Sequence, residues 1–357
     1  MITTEPFDPH AATPGAWAAF HAFRRARSQA EEPGEPNLPD ADFEHDARRQ
    51  WPFWQASRIL ALHNGAIVGN IGLSIRREGT EDYAAFAPFV TVWGGVLPSW
   101  RRQGVATALL YPLLAFMEQH GKVTATFHAR SPEGYIFLTA IGAMRKQLEV
   151  ENRLDFAGLD WTELTRWEVA APPGLEWEVH AGRVTLERLA VLMPSFTSLI
   201  ADAPTGDVDR PPNRYDLEAY VAGYEEADRS GGEHLLVMLL DGSDVAGMCE
   251  GWWDARFPDR VSQYLTAVAR PWRGRGLAKA LKARMLRLVR ERQPGVAMMS
   301  TYNAISNAPM LSINTRLGFI RRKEVGTYQI GRNTLAAWLA TRPTRPNAGI
   351  PDAGIMV

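Results

Sequence analysis

The sequence predicts an α/β protein of two tandem domains, and three observations carry that expectation. Residues 95–110 align without a gap on residues 267–282 at an offset of 172, which places Trp100 on Trp272, Arg101 on Arg273, Gly104 on Gly276, Ala106 on Ala278 and Leu109 on Leu281. In each copy a strand-like apolar run enters a glycine-bearing turn, and a helical pattern follows. A hairpin-like pattern precedes both copies. A spacing of 172 residues is several times a solenoid period, so it indicates two homologous domains. The 357 residues suffice for two domains, each with its own core. The expected division is a first domain over 1–160, a linker over 161–174, a second domain over 175–341 and a frayed tail over 342–357.

Composition narrows the class. Hydrophobic residues make up 46% and charged residues 22%, as in ordinary globular proteins. The net charge of −1 favours neither nucleic acid nor an anionic membrane. A single cysteine, Cys249, excludes an intramolecular disulfide, and the scattered histidines lack ligand spacing, so no metal is expected. Cys249 ends the strand-like Val245-Ala-Gly-Met-Cys249 and reads as buried and inert. The first residues carry neither a basic n-region nor an apolar h-region, and no run approaches the ~18 apolar residues of a membrane span. A cytoplasmic protein, monomer or homodimer, is the expectation. Twelve tryptophans suit both aromatic cores and an aromatic-lined cleft.

In the first half, residues 1–15 read as a loose lead-in opening on a short strand. Residues 16–30 form a helix that turns Trp17, Phe20 and Phe23 inward, and the proline- and glycine-rich stretch 31–39 ends it. A second helix covers 41–50. Strands 58–63 and 66–75 flank Asn64-Gly65, a strong type I′ hairpin signal. Strand 89–96 precedes the first glycine turn, helix 106–119 follows it despite Pro112, and strands 123–129 and 148–156 complete the half.

The second half repeats that order. Strand 177–180 and helix 186–200 precede a polar loop over 202–213; Asp216 caps a helix that runs to about 228. Strands 234–240 and 245–253 flank Asp241-Gly242, and strand 261–268 leads into the second turn. From Leu277 the residues Leu277, Leu281, Met285 and Leu288 share one helix face, while Lys279, Lys282, Arg287 and Arg290 lie mostly on the other. Strand 296–302, helix 307–316 and a strand from Phe319 onward follow.

A strand that feeds a glycine turn into a helix leaves backbone N–H groups unpaired, and the helix dipole adds positive potential there. Gly274 and Gly276 let an anion approach without a Cβ in the way, so the turn suits a pyrophosphate. At these residues the chain resembles the GNAT superfamily of acyl-CoA-dependent N-acyltransferases, whose signature Arg/Gln-x-x-Gly-x-Gly/Ala is met by Arg101-x-x-Gly104-x-Ala106 and by Arg273-x-x-Gly276-x-Ala278. Asp202-Ala-Pro-Thr-Gly-Asp207 and the Asn303 region resemble a tandem-GNAT subgroup, and the arrangement of two halves with one catalytic resembles that of mycothiol-synthase-like proteins, although no motif fixes that substrate. The resemblance implies that each domain is a mixed, mostly antiparallel sheet flanked by helices. It further implies acetyl-CoA held by Ala267, Val268, Arg273, Gly274, Arg275, Gly276, Leu277, Ala278 and Lys279, with Asn303 and Asn307 on the pantetheine arm. The corresponding first-domain residues are Val96, Arg101, Arg102, Gln103, Gly104, Val105 and Ala106. An Asn303 turn and an Asn307 helix cap account for the same two residues without a ligand.

Many GNAT members carry a tyrosine seven residues after that asparagine, as general acid to the leaving thiolate. Asn314 stands at this catalytic position and has no proton to give, so Tyr302, Tyr264, Tyr328 or solvent would substitute. Glu250 is the first candidate base for the amine, followed by Asp254 and Glu233, although each reads more readily as a solvated surface carboxylate. The backbone N–H near Val268 would polarise the acyl oxygen. In the first half Ser131 and Leu138 stand at the positions of Asn307 and Asn314. That copy is degenerate: it binds coenzyme A, or only supports the other.

Two readings follow: an acetyl-CoA-dependent N-acetyltransferase acting on a small-molecule or peptide amine from the second domain, or a coenzyme-A-binding pseudoenzyme acting as sensor or interaction module. The basic face of 279–292 lacks interleaved aromatics and so does not read as a nucleic-acid helix, and Gly274–Lys279 is no P-loop. Asp202, Asp207 and Asp209 crowd one loop, either facing a cationic substrate or forming turns.

Overall fold

The computed structural model describes residues 1–342, so all but the first residue of the expected tail lies outside the described residues. In chain order the elements begin with strand β1 (Ile2–Pro6), helices α1 (Pro14–Glu31) and α2 (Asp40–Arg48), and strands β2 (Trp54–His63) and β3 (Ala66–Arg76). Helix α3 (Tyr83–Phe86), strand β4 (Phe89–Val96), helix α4 (Val105–Gln119), strand β5 (Thr124–Ala129), helix α5 (Pro132–Ala140) and strand β6 (Met144–Asp155) follow. Next come helix α6 (Trp161–Val169), strand β7 (Glu176–Ala181), helices α7 (Leu186–Ala201) and α8 (Leu217–Ser230), and strands β8 (Glu233–Asp241), β9 (Asp244–Trp253) and β10 (Arg260–Val268). Helix α9 (Leu277–Arg292), strand β11 (Met298–Ala304), helix α10 (Ala308–Leu317), strand β12 (Ile320–Gly331) and helix α11 (Arg332–Ala340) complete the chain.

Two compact units result. The first contains residues 1–147, 207–211 and the chain from 326 onward; the second contains 148–206 and 212–325. The first unit orders its strands β1-β2-β3-β4-β5-β12, with β4 and β5 parallel and the β1–β2, β2–β3, β3–β4 and β5–β12 pairs antiparallel. The second orders them β6-β11-β10-β9-β8-β7, with β10 and β11 parallel. Each is the mixed, mostly antiparallel sheet expected.

The units depart from the halves 1–160 and 175–341 in one respect that matters for the site. Each takes a strand from the other half of the sequence. β6 pairs with β11 from Glu149↔Ala304 to Asp155↔Met298, and β12 pairs with β5 from Gly326↔Ala129 to Gly331↔Thr124. Side-chain alternation marks both segments as strands but does not say which edge they join. Four helices also go beyond the expected order, among them the single turn α3. The linker stretch holds α6, where Asp160 accepts from the N–H of Thr162 and Glu163, and Trp161, Leu164 and Trp167 pack into the second unit's core. Helix α5 begins at Ser131-Pro132, with the serine hydroxyl accepting from Gly134 N–H. Helix α11 buries Leu335 and Leu339, one turn apart, in the first core.

In the second unit the sheet separates two cores. Leu277, Leu281, Met285 and Leu288 of α9 pack on one face with Cys249, Val261 and Met299, as the helical spacing predicts. Tyr220 and Tyr224 of α8 and Leu189, Leu192 and Phe196 of α7 pack on the other with Leu236, Met238 and Met248. Between Gln263 and Thr266 strand β10 carries one residue more than its β9 partner, a bulge that sends Tyr264 and Leu265 to the same face.

Lys282 departs from its expected exposed face. It is 1% exposed, its Nζ donates to Gln263 Oε1 at 2.5 Å, and it lies 5.1 Å from the Phe319 ring centroid. Gln263 Nε2 donates to Cys249 Sγ at 2.8 Å, and burial pushes that thiol's pKa up, in keeping with an inert cysteine. Burial also pulls the Lys282 ammonium down to about 8. The unfolded chain therefore binds more protons than the native one between pH ~8 and ~10.4, and stability rises with pH across that window. Urea unfolding at pH 7.5 and 9.5 should show this rise in the wild type and lose it in Lys282→Met.

Candidate active site

The two glycine turns sit at the ends of β4 and β10, as expected. In the second unit β10 runs parallel to β11 only from Arg260↔Met298 to Ser262↔Ser300, after which the strands part. β11 stays paired with β6 along its whole length, whereas β10 continues with β9 to Val268↔Gly247. A wedge therefore opens between Gln263–Val268 and Thr301–Ala304. Ala269 N–H donates to Ala246 at 2.9 Å, so Val268, in the adjacent non-hydrogen-bonded pair, turns its own N–H away from β9 and toward the wedge.

A short 3₁₀ turn over Arg270–Trp272 follows, then Gly274 at φ 77° and Gly276 at φ 87°, the latter at the N-cap of α9. The first intrahelical acceptor is Gly276 C=O, taken by Lys279 and Ala280 N–H. The amides of Gly274, Arg275, Gly276, Leu277 and Ala278 therefore have no backbone partner among the described residues. A Cβ at either glycine would meet nothing within 4 Å, so the concave side of the turn is open. Consecutive free amides at a helix N-terminus, next to a gap between strands, fit the diphosphate and pantetheine arm of coenzyme A.

The side chains of the turn bond within it, which leaves its backbone amides to an anion. Arg273 Nε donates to Val268 C=O at 3.0 Å, and its Nη2 to Asp202 at 2.7 Å. Asp202 also accepts from Arg270 at 2.6 Å; these bonds, Arg270's foremost, lower its carboxyl pKa. It thus clamps the turn rather than facing a substrate. Asp207 and Asp209 belong to the first unit, their amides bonded to Lys146 C=O and Gln329 Oε1. Arg275 stacks on Trp272 and Lys279 on Trp167.

Asn307 caps α10 by accepting from Met310 N–H at 3.3 Å. Asn303 Oδ1 accepts from Asn314 Nδ2 at 2.7 Å and from Asn152 Nδ2 at 3.2 Å. Asn314 is 1% exposed with its Oδ1 unpartnered among the described residues, so it stands inside the protein and offers no acid. Tyr328 lies in the first unit, stacked on Tyr135. Tyr264 and Tyr302 are exposed on the α7–α8 face of the second sheet.

Glu250 lies on that same face, and sequence reasoning missed what surrounds it. The carboxylate is buried. Oε1 accepts from Tyr220 Oη at 2.8 Å and lies 3.0 Å from His234 Nε2, while Oε2 accepts from Tyr215 Oη at 2.8 Å. Tyr224 Oη accepts from Val184 N–H at 3.1 Å and lies 3.0 Å from His234 Nδ1. With His234 Nε2–H donating to Glu250 and Nδ1 accepting from Tyr224, every donor in the chain Val184, Tyr224, His234, Glu250 meets one acceptor. Burial pushes the Glu250 pKa up, but the bonds from His234, Tyr220 and Tyr215 outweigh it and leave the carboxyl below its ordinary range. Burial and the Glu250 charge raise the Tyr215 and Tyr220 hydroxyls well above theirs. A signal existed: His234 and Glu250 are polar residues in otherwise apolar hairpin strands, with Tyr220 and Tyr224 one helical turn apart. The other candidate bases are taken, Asp254 by Arg256 at 2.7 Å and Glu233 by Arg292 at 2.7 Å.

The first unit repeats the turn with changes. β4 and β5 pair only from Phe89↔Thr124 to Val92↔Phe127 and then part, and Gly104 at φ 80° precedes α4. The amides of Arg102, Gln103, Gly104, Val105 and Ala106 lack backbone partners among the described residues. Arg102 holds φ 62° where the other copy has Gly274. A left-handed arginine costs about 1–2 kcal/mol, so the turn is kept against local preference. Arg101 lies 3.3 Å from Glu31 and 3.5 Å from Glu133, and Gln103 donates to Ser99 C=O. Leu138 is buried in the core.

A parallel strand pair that splays beside a glycine turn occurs twice in the chain, once in each unit. Residues 20–133 and 194–319 each match the acetyltransferase (GNAT) family, and the chain belongs to that family. It is similar in fold to a tandem GNAT protein from the clavulanic acid biosynthesis pathway, at 19% identity and a TM-score of 0.70 over 93% of this chain and 99% of that one. A GCN5-related N-acetyltransferase from Sphaerobacter thermophilus gives 18% identity and a TM-score of 0.60, covering 93% and 96% of the two chains. A search of curated proteins found no match.

If the Glu250 network is satisfied as described, Glu250→Gln sets amide hydrogens against tyrosine hydroxyls. Urea unfolding should then show a loss of about 1–3 kcal/mol, against no more than about 0.5 kcal/mol for Asp254→Asn.

Proposed function

We propose that the second unit is an N-acetyltransferase that carries an acetyl group from acetyl-CoA to a primary amine of a small molecule or peptide. The run of free amides from Gly274 to Ala278, set beside the wedge between β10 and β11, carries this reading. Bound there, acetyl-CoA supplies an activated thioester acyl group. The Gly274–Ala278 amides hold its diphosphate, and Val268 N–H points into the wedge as the donor for the acyl oxygen.

The acceptor amine enters on the α7–α8 face. Glu250 does not meet it directly, because its oxygens are covered. Tyr215 is half-buried and donates to Glu250 Oε2, leaving its own oxygen able to accept from the amine. The proton then passes to Tyr215 as the Tyr215 proton passes to Glu250, with His234 and Tyr220 steadying the charge. Tyr302 and Tyr264, exposed on this face, are the groups available to protonate the leaving thiolate. Direct attack in a ternary complex needs no covalent enzyme intermediate, and buried Cys249 offers none.

The absent tyrosine at 314 favours a second reading, a coenzyme-A-binding protein without turnover. Thiol release from acetyl-CoA over a panel of amines separates the two. Turnover in the wild type, abolished in Gly276→Asp and retained in Gly104→Asp, is the expected result, since only the first change puts a carboxylate on the second diphosphate turn. Coenzyme A binding without thiol release on any amine would leave the second reading. Tyr215→Phe should lower kcat by about 10²-fold while Kd for coenzyme A stays unchanged by equilibrium titration.

A further inference from the structure

The sheet face of the first unit that corresponds to the Glu250 face reverses its charge. Gly69↔Val96 and Gly247↔Val268 equate the two strand ends, and counting three residues on places Gly72 at the position of Glu250. Arg58 of β2 pairs with Gly72, so its side chain rises on that face. Trp93 lies across Gly72, where a Cβ would fall 2.2 Å from the indole. The Arg58 guanidinium sits 4.7 Å from the Phe20 ring centroid and 5.1 Å from that of Phe43, and Arg24 stacks on the same Phe43 at 4.5 Å. Arg27 of α1 reaches over to donate to Asn70 Oδ1 at 3.0 Å.

These groups are short of acceptors. The Nε–H of Arg24, Arg27 and Arg58 are all buried with no hydrogen-bond partner among the described residues. The nearby carboxylates are already shared. Asp40 takes Arg24 at 2.6 Å and also Arg25, and Glu31 lies 3.5 Å from Arg27 Nε and 3.3 Å from Arg101. Among the described residues no carboxylate comes within ion-pair distance of Arg58. Burial, with Arg27 and Arg24 adding repulsion, pulls its guanidinium down to about 10. Stacking on phenylalanine offsets only part of what a buried and uncompensated cation costs. Arg24 also donates from Nη1 to Leu38 C=O at 2.9 Å, but three buried Nε–H donors left without an acceptor point to one supplied from outside.

We infer that Arg58, Arg27 and Arg24 of the first unit form an anion site that takes the carboxylate or phosphate group of a small molecule between α1 and the sheet. It is separate from the diphosphate turn at Gly104 and does not depend on transfer in the second unit.

The test uses the full-length protein with coenzyme A saturating, so that both glycine turns are filled. Succinate and inorganic phosphate are titrated against chloride at matched ionic strength, by calorimetry and by the arginine Nε–H resonances. Expected is saturable binding of succinate or phosphate that shifts the Arg58 Nε–H signal and weakens at least about tenfold in Arg58→Met. Arg166→Met, an exposed arginine of the second unit, should bind like the wild type. A preference for succinate or for phosphate tells which group the site takes. Should Arg58→Met not fold, the wild-type resonance shift and the weaker binding of Arg58→Lys, which keeps charge but loses the planar fork, decide the matter. No saturable shift, a response equal to that of chloride, or binding that survives in Arg58→Met or Arg58→Lys overturns the inference.

Discussion

The parting of β10 from β11 after Ser262 and Ser300 is the constraint on which the rest of the second unit depends. A parallel strand pair normally satisfies its backbone donors in regular order, and ending that order inside a sheet strands polar groups in an otherwise apolar region. Both edges of the gap are secured elsewhere: β11 leans on β6 over its full length, and β10 leans on β9 through a bulge. The gap can persist because neither strand needs the other beyond the third pair. The free amides of 274–278 prolong the same logic past the strand end. Arg273 and Asp202 hold the turn from behind, which leaves its backbone rather than its side chains to meet an anion.

On the opposite face the problem is one buried negative charge. A lone carboxylate there would be protonated, whereas three directed donors keep Glu250 ionised. The same bonds that hold the charge make it a poor base for anything that cannot reach through Tyr215. The network therefore favours a positioned relay over a carboxylate open to solvent, and it couples the site to α8 and to the backbone at Val184.

The first unit shows how duplicated halves diverge under different pressures. Its turn keeps the left-handed geometry at Arg102 despite strain, and its strands β4 and β5 part at the equivalent place. The neighbouring face has changed sign, from a glutamate among tyrosines to arginines among phenylalanines. Ser131 retains the capping role of Asn307, while Leu138, in place of Asn314, has joined the core.

Local chemistry was readable in the sequence. The glycine turns, the α9 face at Leu277, Leu281, Met285 and Leu288, and the Asn64-Gly65 hairpin are set by backbone preference and periodicity within a few residues, so the residues themselves determined them. The expected helix cap at Asn307 belongs with these, as does the burial of Cys249. What only the tertiary structure decided were long-range choices: that 149–155 and 326–331 join sheets whose other strands come from the opposite half, that Tyr328 packs within the first unit, and that Glu250 meets Tyr215, Tyr220 and His234. Lys282 sits inside although its spacing put it outside, because Gln263 and Phe319 lie beneath it. Alternation and helical period say which way a side chain points from its own element. They carry no information about which distant element it will find there, and that pairing is fixed only when the strands have taken their places.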